Sequence, residues 1–159
     1  MSLDDLPPYE DYNMQGRTYK YMYAEPMYPF GYGLSYTDFE YSEIKLSEKR
    51  IKKGKSLNAS ITITNTGDTK AEEVVQLYIS DLKTSVRAPK YQLFGIQRVA
   101  LEPGASKEIT FEITPQMMEL VNLEGERVLE SGDFKIYLGG SSPGKRSTEL
   151  GIQPSKEAS

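Results

Sequence analysis

The 159-residue chain contains no histidine, no cysteine and no tryptophan. Without the first two, a Ser-His-Asp triad, a Cys-His pair and the usual zinc sites cannot be assembled. Thiol chemistry is closed too, and cysteine usage says nothing of the compartment, which stays unknown. Without tryptophan, the aromatic surface best suited to stacking on sugar rings is missing. Basic charge is also in short supply. Nineteen Lys and Arg against 23 Asp and Glu leave a net charge of −4, which argues against nucleic acid or an anionic membrane as a partner. No apolar run approaches the ~20 residues that span a bilayer, and no signal-peptide pattern is read ahead of the domain. Met1-Ser2-Leu3 reads as a cloning remnant, with the natural N-terminus elsewhere.

What is present changes character near residue 37. Eight of the twelve tyrosines and Pro7, Pro8, Pro26 and Pro29 precede that point, with almost no branched aliphatics. The prolines break any helix and push their neighbours to extended conformations. Only Tyr19, Tyr21 and Tyr23 alternate, over a short extended piece. Residues 1–36 therefore read as an irregular aromatic arm.

Beyond residue 37 the period becomes two. "LNASITITN" places Leu57, Ala59, Ile61 and Ile63 on one face and Asn58, Ser60, Thr62 and Thr64 on the other. "VVQLYIS" does the same with Val75, Leu77 and Ile79, "EITFEIT" with Ile109, Phe111 and Ile113, and "DFKIYLGG" with Phe134, Ile136 and Leu138. Weaker strands are read at 39–47, 93–101, 126–130 and 147–153. One short helical turn is expected, capped by Thr114 and opened by Pro115. Short strands bounded by turn residues predict an all-β, antiparallel immunoglobulin-like sandwich over 37–153, with residues 154–159 as a polar tail.

The order of motifs carries a resemblance. "YPFGYGLSYT", then "TITNTGDTKAEEVVQLYISD", "YQLFGIQRVALEPGASKEITFEITP" and "ESGDFKIYLGGSS" resemble the C-terminal end of family 3 glycoside hydrolases, across about residues 6–142. The resemblance implies a fibronectin type III-like fold at the end of β-glucosidase or β-xylosidase enzymes, whose catalytic domains come earlier. It also implies a non-catalytic, accessory role in domain or subunit packing. No segment resembles the family's nucleophile motif, so no catalytic residue is carried over, and no cofactor or metal site is assigned. A glycosidase needs two carboxylates held across a sugar in a water-excluding cleft, which chance pairs of surface acids do not supply.

Three readings of the aromatic stretch compete: a sugar-stacking platform, a cover for the sandwich's own core with Phe30, Tyr36 and Phe39 folded inward, and a strap at a domain seam. Tyrosine suits a seam, burying its ring while its hydroxyl finds a polar partner. The seam residues are Tyr28, Pro29, Phe30, Gly31, Tyr32, Gly33 and Tyr36. The expected partners are the parent enzyme's catalytic domains, or a second copy of the chain through residues 17–36. In a fragment, part of 1–36 is otherwise expected to be mobile or to fold back. A free-standing carbohydrate-binding module with a Tyr-lined surface is the alternative. "EKRIKKGK" (48–55) reads as a solvated turn, the sequon at Asn58 as a chance match, and "LGGSSPGKR" as a strand-ending turn rather than a phosphate loop.

Overall fold

The computed structural model describes Pro8, Glu10, Tyr21, residues 25–150 and residues 155–159. The described strands are β1 (Phe39–Tyr41), β2 (Lys45–Leu46), β3 (Leu57–Asn65), β4 (Ala71–Asp81), β5 (Gln92–Leu101), β6 (Ser106–Ile113), β7 (Leu120–Val121), β8 (Arg127–Val128), β9 (Phe134–Gly139) and β10 (Lys156–Ala158). In the first sheet β1 and β2 both run antiparallel to β3, and β6 pairs with β3 from Leu57↔Ile113 to Thr64↔Ser106. The second sheet has the order β10-β9-β4-β5, and β7-β8 form a small separate hairpin. All pairings among the described residues are antiparallel.

The inward phases read from the sequence meet between the sheets. Ala59, Ile61 and Ile63 of β3 and Ile109 and Ile113 of β6 face Val75, Leu77 and Ile79 of β4, with Val99, Leu101, Ile136 and Leu138 completing the buried cluster. Each such aliphatic contributes ~1.5–3 kcal/mol on leaving water. Phe39, Phe111 and Phe134 pack partly buried against it.

Five local expectations give way. On β4 the phase read as polar and outward is buried as well: Gln76, Tyr78 and Ser80 are covered by neighbouring loops. Gln76 Nε2 donates to the Gly140 carbonyl at 2.7 Å, Tyr78 Oη to Gln76 Oε1, and Ser80 Oγ to the Lys90 carbonyl at 2.6 Å. The Tyr91 ring meets Tyr78 edge-on at 5.8 Å. Of the strand read over 147–153, residues 147–149 instead belong to a helical turn, Arg146–Glu149, closed by an i,i+3 ion pair of 2.6 Å and by Ser147 Oγ against Ser141 Oγ. Residues 151–154 lie outside the described residues. This turn is additional to the expected one at Pro115–Met118, where the Met117 N–H donates to the Thr114 carbonyl but the Thr114 side chain makes no cap. The polar tail contains β10, because backbone pairing with β9 needs no apolar side chains. The segment 126–130 shrinks to the two residues of β8.

Candidate functional site

The arm's described stretch, 25–36, folds back on the sandwich. The Phe30 N–H donates to Ser142 Oγ at 3.1 Å, and the Ser142 N–H donates to the Phe30 carbonyl at 2.7 Å. Between them, Tyr32 N–H donates to the Pro29 carbonyl at 3.0 Å, closing a tight turn with Gly31 at φ +86°. A type II turn needs positive φ at that third position. A side chain there would also have no room: a Cβ would lie 2.1 Å from Gln76 Nε2 and 2.7 Å from the Gly140 carbonyl oxygen. Arg146 Nε donates to the Met27 carbonyl at 3.1 Å, and Lys90 pairs with Glu25 at 3.6 Å. Docking runs through backbone, Gly31 and the buried Pro29.

The side chains do the opposite. Met27, Tyr28, Phe30, Leu34 and Tyr36 are 73%, 55%, 65%, 86% and 96% exposed. Phe30 and Tyr36 thus do not join the core as expected, whereas Phe39 does. Both main-chain polar groups of Phe30 are held by Ser142, and the ring is left on the solvent side. Tyr32 is half-buried, and Gly33 is exposed with open space around it. Tyr28 and Tyr32 lie 4.9 Å apart at 33°, turned onto each other rather than sharing the flat surface a sugar ring would need. Of the Tyr19–Tyr23 alternation, all but Tyr21 lies outside the described residues, as do residues 17–20 and 22–24 of the 17–36 stretch assigned to a second copy.

The strap enters the sandwich at Thr37, and here the sequence reading missed a centre of the structure. Asn65 is fully buried, and each polar atom of its side chain is used. Its Oδ1 accepts from Thr37 Oγ1 at 2.7 Å and from the Gly67 N–H at 3.1 Å. Its Nδ2 donates to the carbonyls of Thr69 at 2.8 Å and Leu101 at 3.1 Å. One side chain therefore ties the strap to the β3–β4 turn and the end of β5. The available signal was an asparagine in the inward phase of an otherwise apolar strand.

A second, half-buried pair lies beside the strap's anchor. Tyr41 Oη donates to Glu73 Oε1 at 2.7 Å, beneath Gly140, whose Cβ would lie 2.3 Å from that oxygen. Burial, then the Glu73 charge, pushes the phenol far up. Burial also raises the Glu73 carboxyl above its ordinary 4.5, against the pull of its bonds from Tyr41 and the Val74 N–H. The folded state therefore holds this proton more readily than the unfolded chain. The group favours the fold most below pH 4.5, and that advantage is lost as pH rises through the folded value. Glu73→Gln keeps the acceptor for Tyr41 and removes the charge. It is expected to be more stable than the parent at neutral pH and to match it in acid, measured as urea midpoints across that window. A difference that stays constant with pH would remove Glu73 from the account.

Among the described residues, no group of three or more Asp, Glu, His or Cys could hold a metal ion, and no helix is long and apolar enough to cross a membrane. Glu73 does not line the cavity of about 740 Å³ that lies at the other end of the sandwich, by the 48–55 turn.

Residues 73–142 match the family described as the fibronectin type III-like domain. The chain is 39% identical over 141 residues to thermostable β-glucosidase B of Acetivibrio thermocellus, covering 87% of this chain and 19% of that protein. It is 36% identical over 148 residues to a xylan 1,4-β-xylosidase of Xylanibacter ruminicola, covering 92% and 17%. The crystal structure of a β-glucosidase from Listeria innocua in complex with isofagomine matches with a TM-score of 0.74 and 34% identity, over 84% of this chain and 17% of that one. The chain thus spans about a fifth of the length of the curated relatives it matches.

Proposed function

From the premise that this chain belongs to the fibronectin type III-like domains of family 3 glycoside hydrolases, we propose that it is the non-catalytic C-terminal unit of a β-glucosidase-like enzyme. In this reading the parent hydrolyses terminal β-glycosidic bonds, and the chain stabilises its domain packing. The carrying observation is the divided strap: its backbone is fixed to the sandwich while Met27, Tyr28, Phe30, Leu34 and Tyr36 stay in water. So many large apolar side chains exposed within ten residues mark a contact surface, and aromatic anchors dominate such contacts. The strap is preorganised by Pro29 and Gly31, so docking a neighbour needs little further ordering.

The test is reconstitution. The catalytic portion of a family 3 β-glucosidase, stripped of its own corresponding segment, is mixed with this chain. Association, a raised melting midpoint and recovered activity are expected, with binding at least about tenfold weaker for Tyr28→Ser combined with Phe30→Ser. No association, where the enzyme's own segment does associate, would sink the proposal. Affinity for soluble β-glucan, lost in Tyr28→Ala or Tyr32→Ala, would instead establish a free-standing carbohydrate-binding module.

A further inference from the structure

The geometry points to a binding cleft for an amphiphilic anion, with a carboxylate, sulfate or phosphate head and an aliphatic or aryl tail, at the end of the sandwich away from the strap. The strap docks where β3 and β9 finish, while the cleft opens where they begin. Nine residues of β3 separate the two, roughly 26 Å of extended chain. A neighbour held on the strap therefore leaves the cleft free. Its volume of about 740 Å³ falls within the range of small-molecule pockets.

The lining divides by chemistry. Leu46, Ile51, Leu57, Met118, Leu129 and Phe134 supply an apolar floor at the open edge of the core. The rim is the turn 48–55, where Lys55 N–H donates to the Lys52 carbonyl at 3.0 Å and Gly54 sits at φ +82°. Among the described residues, Lys49, Lys52, Lys53 and Lys55 form no ion pair. Glu48 is the single acid of that turn. The side-chain acids of the opposite wall are already engaged, and Ser159, the last residue of the chain, also lines it. Glu130 accepts from the Ser85 N–H and Oγ, and Asp133 pairs with Lys83 at 2.8 Å, which holds its carboxyl below the usual range. A chain of net charge −4 thus concentrates unpaired positive charge over an apolar floor. The lining has no tyrosine, which favours a hydrocarbon or aryl tail over a sugar chain.

Calorimetric titration of the full chain with decanoate tests this, beside acetate (head alone) and decanol (tail alone). Decanoate is expected to bind, acetate and decanol to compete poorly, and raised salt to weaken the complex. Lys52→Glu with Lys53→Glu is expected to reduce affinity about tenfold or more. Lys107→Glu with Arg127→Glu, an equal change of net charge elsewhere, should leave it unchanged. Sedimentation with phosphatidylglycerol but not phosphatidylcholine vesicles, lost in the Lys52/Lys53 double variant, would place the tail in a bilayer rather than in solution. Absence of both forms of binding overturns the inference. So does equal competition by acetate or decanol, or indifference to the Lys52 and Lys53 reversal.

Discussion

Asn65→Ala is expected to lower the unfolding free energy by roughly 3–5 kcal/mol. The side chain is enclosed, so its loss strands the Leu101 and Thr69 carbonyls, the Gly67 N–H and the Thr37 hydroxyl together. Thr37 and Leu101 are themselves buried, so water reaches those two partners least. A buried polar group left without a partner costs ~1–3 kcal/mol, and the geometry leaves several. A domain of ordinary stability has only about 5–15 kcal/mol in total. The measurement is a urea midpoint at constant m-value. Thr64→Ala, one residue earlier on the exposed face and bonded only to Ser106 Oγ there, should fall within about 0.5 kcal/mol of the parent. Equal effects at the two positions would refute the hub. Asn65→Asp adds a signed check. Its second oxygen would face two carbonyls, so the introduced carboxyl is best tolerated protonated. That variant should recover stability as pH falls, whereas the alanine variant should not.

Gly31→Ala should release the strap and leave the sandwich folded. Two costs coincide at this position. The positive φ costs a non-glycine residue ~1–2 kcal/mol, and the new Cβ would fall within 2.1 Å of Gln76 Nε2 and 2.7 Å of a backbone oxygen that has little freedom to retreat. A handful of hydrogen bonds, each worth a net ~1 kcal/mol, is too little to absorb both. The expected signature is local: the Phe30 and Ser142 amides should exchange at least about tenfold faster, with core amides of β3 and β4 unchanged. Gly33→Ala, in open space, should leave the strap docked. Unaltered protection at Phe30 in the Gly31 variant would mean that the turn tolerates the side chain.

The sandwich was legible because burial on one face of a strand writes itself into every second residue. Ile61 and Ile63, or Val75 and Leu77, need no information beyond their own spacing. The same logic fails where the cover comes from far along the chain. Gln76 and Tyr78 read as solvent-facing because nothing nearby announces that residues 140–142 and Tyr91 lie over them. It fails again where backbone alone holds the structure. Lys156–Ala158 has a polar composition and still forms a strand, since β9 offers it a ladder of main-chain partners. The strap residues were singled out by composition, but composition does not say which way a ring points. For Phe30 that direction is set by Ser142. Asn65 stands out in the sequence only as a polar residue in an apolar phase.

The bond between Phe30 and Ser142 also has a consequence in time. Its two ends are 112 residues apart. On a ribosome adding about 5–20 residues per second, the strap emerges roughly 6–22 s before the serine that will hold it. For that interval its tyrosines and Phe30 lack the sandwich beneath them. The early presence of earlier-made domains, or of a chaperone that favours aromatic segments, would shelter them. A nascent chain displaying this stretch alone is the stage at which aggregation should begin.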